Sequence, residues 1–293
     1  MFIRPLYING QHRKIINNIV TSNLIVQYGI FSFGSSDTPR LTLSNVKEGN
    51  SILIIGFIGW NNGNDKLTGG IADSLQTWNQ TPFINWPTST DGTRTPGMQC
   101  WLLENAVQGN HNLTIYNYTY IFGDIIVMEM LPEIDIDSFF YSRASSPQTK
   151  TATTNAYANT SGQIDYALSL FYYDDEVGKY NIAPSNPPTG NAWTTAIYQP
   201  INRKTGTSPA YSTSTANSAG AYIISYYDNV PANSNISATW NYNPNPGNYY
   251  DSTLTSIITF KKNNQWYKQI ILTSGNTWTV PSDWNNENNS IEC

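Results

Sequence analysis

Apolar and polar residues alternate along most of this chain with a period of two, the spacing of a half-buried β-strand. Helical periodicity is nearly absent. Runs that read as strands fall at 24–33, 40–46, 51–60, 98–105, 112–119 and 124–131, with turn residues between them. A second series includes Asp165–Tyr172, Tyr222–Val230, Ile236–Trp240 and Leu254–Phe260. The two series correspond. Trp101-Leu-Leu-Glu-Asn105, a polar gap and Leu113-Thr-Ile115 are answered by Tyr222-Ile-Ile-Ser-Tyr226, a similar gap and Ile236-Ser-Ala238. Each series opens and closes on an apolar strand, and each holds a Trp beside a Thr, at Thr77-Trp78 and Trp193-Thr194. The expectation is an all-β chain of tandem duplicated β-sandwich modules, jelly-roll or Ig-like.

The organisation that follows is a short hairpin over 1–20, a first module over 21–132, a second over 133–262 and a β segment over 263–293. The stretches 61–97 and 174–220, rich in Asn, Gly, Pro, Ser and Thr, read as long loops. The segment Leu131–Asp137, with its alternating carboxylates, reads as an exposed connector. Asn9-Gly10 between short apolar runs is a strong hairpin signal, because both turn positions need positive φ. A lone hairpin is marginal in water, so Tyr7, Asn9, Gly10 and Arg13 are candidate attachment residues.

One pattern breaks the alternation. The strand at 52–58 is apolar on both faces, and that at 125–131 nearly so. Such a strand must be covered on both sides. The long loop 61–97 and a neighbouring subunit are the two covers considered. The counterparts in the second module alternate more cleanly, as in Tyr166, Leu168, Leu170 and Tyr172.

Composition narrows the function classes. In 293 residues, charged side chains make up 12% and aromatics 13%, so solubility rests on amides and hydroxyls. Net charge is −5 and the pI about 4.9, with no basic stripe, which argues against nucleic acid and anionic membrane as partners. No apolar run approaches a membrane span. The opening residues lack an apolar signal core, so the expectation is synthesis in a cytoplasm without signal-directed export. Cys100 and Cys293 give neither a disulfide framework nor metal spacing, and Cys100 reads as a small buried hydrophobe. No cofactor fingerprint occurs.

Enzymatic chemistry finds little purchase. A glycosidase needs two carboxylates about 5–10 Å apart across a cleft. The acidic candidates are the Asp174-Asp175-Glu176 loop tip, Glu133/Asp135/Asp137 and the Asp65/Asp73 loop. The two histidines, His12 and His111, read as loop surface residues, and no Gly-x-Ser-x-Gly elbow accompanies them. The chain is therefore expected not to be an enzyme. Aromatic surface remains. Trp78 and Trp193, at matching places, read as core. Trp86, in an Asn-Trp-Pro loop, together with Tyr173 and Tyr249, are candidate sugar-stacking residues.

The segment Thr273-Ser-Gly-Asn-Thr-Trp278-Thr-Val-Pro281 resembles one that leads into a glycine-rich domain in many bacteriophage tail-fibre and tail-tip proteins. Modules ending in Ile258-Thr-Phe-Lys261, and the opening Leu6-Tyr-Ile-Asn-Gly10, resemble parts of such proteins more weakly. The resemblance implies a virion tail component made in a host cytoplasm, joined to other tail proteins and commonly a homotrimer, with host-surface glycan as a further partner. The sequence ends at Cys293, where that family continues into glycine-rich sequence. The expectation is a shortened chain or a fibre completed by another protein. Trp266, Trp278 and Trp284 are candidate subunit contacts, since a segment of this length cannot bury them alone. A carbohydrate-binding adhesin and a depolymerase subunit are the alternatives.

Overall fold

The computed structural model describes residues 18–19, 24–33, 38–58, 70–86, 97–116, 123–132, 134–145, 151–158, 165–175, 185, 187–204, 217–231, 233–241 and 252–262. All regular structure among them is β. In the first half the strands are β1 (Asn18–Ile19), β2 (Ile25–Phe33), β3 (Arg40–Val46), β4 (Asn50–Ile58), β5 (Ile71–Asp73), β6 (Ile84–Trp86), β7 (Gly97–Leu103), β8 (Gly109–Ile115) and β9 (Gly123–Pro132). The second half holds β10 (Ile134–Ser145), β11 (Thr151–Ala158), β12 (Asp165–Asp175), β13 (Thr194–Lys204), β14 (Asn217–Val230), β15 (Ser234–Asn241) and β16 (Ser252–Lys262).

These strands form four antiparallel sheets. A six-stranded sheet runs β1-β2-β9-β4-β7-β6 and a three-stranded one β3-β8-β5. A five-stranded sheet runs β10-β16-β12-β14-β13 and a two-stranded one β11-β15. Position for position, β2-β9-β4-β7-β6 and β10-β16-β12-β14-β13 follow one order, and β3-β8 matches β11-β15. The place of β5 is taken in the second half by a single bridge, Thr189 to Thr239. β2 lies beside β9 and β10 beside β16, and in each half the chain crosses between the large and the small sheet at β3 and β8 or at β11 and β15. Of the two sandwich types expected, this is the order of a jelly roll rather than of an Ig domain.

Three hydrophobic cores separate the layers. Leu41, Leu43, Ile52, Ile54, Trp78, Trp101 and Val127 fill the space between the first half's two sheets. Phe171, Ile223, Ile236, Trp240 and Ile257 do the same in the second half. The third and largest core draws on both halves: Leu53, Ile55, Phe57 and Met128 meet Leu168, Leu170, Tyr172, Tyr222 and Phe260. The two large sheets therefore pack face to face, and the small sheets lie outside them. The Phe57 ring stacks on Tyr172 at 5.0 Å and on Tyr222 at 6.1 Å, while Phe83 meets Phe139 edge-on at 6.0 Å.

This arrangement accounts for the two-faced apolar strand. Successive side chains of β4 point to opposite faces, so Ile52 and Ile54 enter the outer core while Leu53, Ile55 and Phe57 enter the central one. The cover is the chain's own second half. The alternation seen in β12 has a matching explanation. Leu168, Leu170 and Tyr172 face the central core, and Ala167, Ser169 and Phe171 are equally buried beneath the two-stranded layer.

Several expected boundaries move. The loop stretch 61–97 contains β5 and β6, and 174–220 contains the whole of β13. Their pairing is long-range, with β7 and β8 or with β14, so local composition misses it. The expected connector 131–137 is mostly strand: β9 runs to Pro132, β10 starts at Ile134, and Ile134 is buried in the central core. The Asp174-Asp175 pair lies on the end of β12 rather than at a loop tip.

Candidate functional site

The first half holds a buried histidine–aspartate pair. His111 lies in β8 and Asp73 ends β5, two paired strands of the small sheet. His111 Nδ1 is 2.6 Å from Asp73 Oδ2, and both side chains are fully buried. The other ring nitrogen, Nε2, is 2.9 Å from the Val107 carbonyl oxygen. Asp73 Oδ2 also accepts from Trp78 Nε1 at 3.0 Å, and Oδ1 accepts from the Leu75 N–H at 3.1 Å. A carbonyl only accepts, so Nε2 carries a proton.

The pair resembles two members of a hydrolytic triad, but its third contact differs. A general base must aim its free nitrogen at the hydroxyl it activates. Here that nitrogen is committed to a backbone carbonyl beneath the protein surface. What the geometry does is tie β5, β8 and the Trp78 segment together. The expectation of a surface loop histidine is therefore corrected. The expected strand began at 112, whereas β8 begins at Gly109. His111 then shares the inward face with Leu113 and Ile115, all three buried. The period-two spacing of those three residues was the signal in the sequence.

A second buried acid sits in the middle of the large sheet. Glu129, on β9, is almost wholly buried. Its Oε1 accepts from the Lys47 backbone N–H at 3.0 Å and from Asn50 Nδ2, and its Oε2 accepts from Gln27 Nε2. Gln27 also donates to the Ser44 carbonyl at 2.8 Å. Three neutral donors thus hold the carboxylate at the turn joining β3 to β4. Asp137 Oδ2 accepts from Thr259 Oγ1 at 3.0 Å, at the irregularity between β10 and β16. In the second half Ser169 Oγ and Trp240 Nε1 are buried without a hydrogen-bond partner among the described residues.

Cys100 is fully buried on β7, and burial pushes its thiol well above the ordinary range. Tyr166 is also raised, chiefly by burial and secondarily by the charge of Asp228. Among the described residues no three His, Cys, Asp or Glu side chains gather as metal ligands. No described helix is long and apolar enough to cross a membrane.

The sugar-stacking and attachment candidates are not brought together. Trp86 lies at the end of β6 rather than in a loop, paired with Met98 at the edge of the six-stranded sheet. Tyr173 lies on β12 between Ala221 and Thr253. The side chains of both, and the whole of Tyr249, Tyr7, Asn9, Gly10, Arg13, Trp266, Trp278 and Trp284, lie outside the described residues. Trp78 and Trp193 are core residues, with their indole N–H groups bonded to Asp73 and to the Ser237 carbonyl. Among the described residues the exposed aromatics are Tyr116, just after β8, and Phe139, Phe140 and Tyr141 in succession on β10. Sequence reading passed over the run on β10. Comparison of the chain with models of known families, with curated proteins and with solved structures finds no match.

Proposed function

We propose that this protein is a structural component of a bacteriophage tail, a fibre or tail-tip part that presents β-sandwich modules to a host surface. The observation that carries the reading is the Thr273–Pro281 segment, with its resemblance to the run that precedes the distal domain of such proteins. Descent of the two halves from one duplicated module belongs to the same reading and draws support from their common strand order. A body of four stacked sheets suits a load-bearing part. Mass spectrometry of purified particles from the source tests the proposal, with antibody labelling to find the position. The protein should be present in the particles and label the tail. Its absence from intact particles, with abundance in the soluble cell fraction, would overturn the reading.

A carbohydrate-binding adhesin is the second reading, and the exposed aromatic run on β10 is the observation that favours it. Aromatic rings stack on sugar faces, and Asn and Ser side chains bond sugar hydroxyls. Binding to host surface glycans on an array, lost in a Tyr141→Ala variant, would move the function from scaffold to adhesin. Release of reducing sugar from the same glycans would point instead to a depolymerase.

A further inference from the structure

Two polar side chains in the second half's outer core, Ser169 and Trp240, are fully buried, and neither Ser169 Oγ nor Trp240 Nε1 has a hydrogen-bond partner among the described residues. A buried polar group left unmet costs free energy. Native proteins almost always satisfy such groups, either with protein atoms or with ordered water. The surroundings of Ser169 favour water.

Ser169 belongs to a row of hydroxyls. It lies on β12, the middle strand of the five-stranded sheet. Ser169 is opposite Ser225 on β14, and Ser225 is opposite Thr195 on the edge strand β13. Directly opposed residues share one face, and Ala167, Phe171 and Ile223 mark that face as the outer core. Ser169 and Ser225 are fully buried, while Thr195 is half-buried. Ser225 Oγ is 3.4 Å from Thr195 Oγ1. No side-chain hydrogen bond joins Ser225 to Ser169. The row therefore runs from the sheet's edge to its middle, where it meets the apolar Ile257.

The first half shows the same place filled with carbon. Both large sheets have an irregularity at a matching point, Ile25/Gln27 opposite Met130/Glu129 and Ile136/Ser138 opposite Phe260/Thr259. This aligns Glu129 with Thr259, and through their partners it aligns Ile52 with Ala167 and Ile54 with Ser169. Ile54 lies opposite Trp101, and both belong to the first half's outer core. Ser169 and Ser225 thus stand where the first half has an isoleucine and a tryptophan. The two-stranded layer above them contributes Ala156 and Ala238, so small side chains face small ones. Trp240 lies in the same core, its ring 5.4 Å from that of Phe171. Its N–H only donates, and it too calls for an acceptor.

We propose that this place is a binding site for one water molecule, held between Ser169 Oγ and Ser225 Oγ. Water is small enough for an interior site and both donates and accepts, as the two hydroxyls do. An apolar guest would leave both hydroxyls unmet. The contact from Ser225 to half-buried Thr195 gives the water a polar route for exchange. The inference concerns the interior of the second half and does not rest on the virion reading.

A crystal structure of the full chain, at a resolution that shows ordered solvent, should place a water within hydrogen-bond distance of both hydroxyl oxygens. In solution, magnetic relaxation dispersion of the water signal counts the waters that stay bound. A variant carrying both Ser169→Ala and Ser225→Ala should lose one water from the parent's count, as should the milder Ser169→Ala alone. Ser256→Ala removes a buried hydroxyl that already donates to the Phe140 carbonyl oxygen at 2.8 Å, and its count should equal the parent's. Far-UV circular dichroism checks that each variant is folded. Both hydroxyls turned onto each other or onto backbone carbonyls, with no solvent density between them, would overturn the proposal. An unchanged count in the folded double variant would do the same.

Discussion

His111 and Asp73 show what a buried polar pair does in a sheet this small. β5 has three residues and cannot be held by its ladder alone. The contact from His111 to Asp73, with Trp78 on the same carboxylate oxygen, adds side-chain ties across it. Removing one member of a buried pair leaves the other without compensation, at a cost of about 3–5 kcal/mol. His111→Ala and Asp73→Asn should each lower unfolding stability by that order in urea titration. The double variant should lose much less than their sum, because the sites share one interaction. Additive losses would show that the two groups are not coupled. Cys100 and Tyr166 set a second expectation. Both are neutral when protonated, and both are held above their ordinary range in the folded protein. The folded state therefore keeps these protons longer than the unfolded chain. Their contribution to stability is intact below the ordinary thiol range, about 8.5, and is lost as pH rises past it toward the raised folded values. The urea midpoint should fall as the pH is taken from neutral to strongly alkaline, and a Cys100→Ala variant should fall less steeply. A midpoint that rises with pH would refute this.

At the scale of elements, the segment before β13 does the work that β5 does in the first half. Thr189 exchanges two backbone hydrogen bonds with Thr239 of β15, each 2.9 Å. Asn191 Oδ1 accepts from the Ser237 N–H at 2.8 Å, and Trp193 donates to the Ser237 carbonyl at the same distance. Gly190 lies between them with φ of +117°, and a Cβ there would come within 2.6 Å of the Ser237 carbonyl oxygen. Only glycine allows both that backbone turn and that approach. Gly190→Ala should cost about 1–3 kcal/mol and loosen this edge, read as faster amide exchange at Thr239. Gly49→Ala is the comparison. Its φ is also positive, +83°, but nothing lies within 4 Å of the added carbon, so its loss should be smaller. Equal losses would mean that backbone conformation, and not the close approach, sets the cost.

For the whole molecule, the decisive feature is that the largest core belongs to neither half. Among the described residues, Leu53, Ile55 and Phe57 are covered by Leu168, Tyr172, Tyr222 and their neighbours. The jelly rolls are thus halves of one four-layer body. Unfolding should be a single transition by fluorescence and by circular dichroism, with calorimetric and van't Hoff enthalpies in agreement. Residues 18–132 produced alone would expose one whole face of a six-stranded sheet, far more apolar surface than a soluble monomer carries. That fragment should aggregate or bind a hydrophobic dye strongly, while the intact chain does not. Two separate transitions, or a soluble and well-folded half, would disprove the shared core.

Much of this body was legible in the sequence, because strand periodicity is local. The strands at 25–33, 40–46, 97–103 and 123–132 stand within a few residues of where alternation put them. The core placement of Trp78 and Trp193 followed from their matching places in the two series, and that of Cys100 from the apolar strand it precedes. Even the two-faced strand β4 announced that something must cover it. What alternation could not say was what that cover is, since a buried face looks the same under a loop, a subunit or the chain's own second half. Only the tertiary structure chose the second half. It also decided that β5, β6 and β13, in stretches of loop-like composition, are strands, because their ladders are made with β7, β8 and β14. The burial of His111 beside Asp73, thirty-eight residues earlier, was decided the same way. The chain sets which faces are apolar, within a few residues of each position; contacts made across tens or hundreds of residues set what those faces meet.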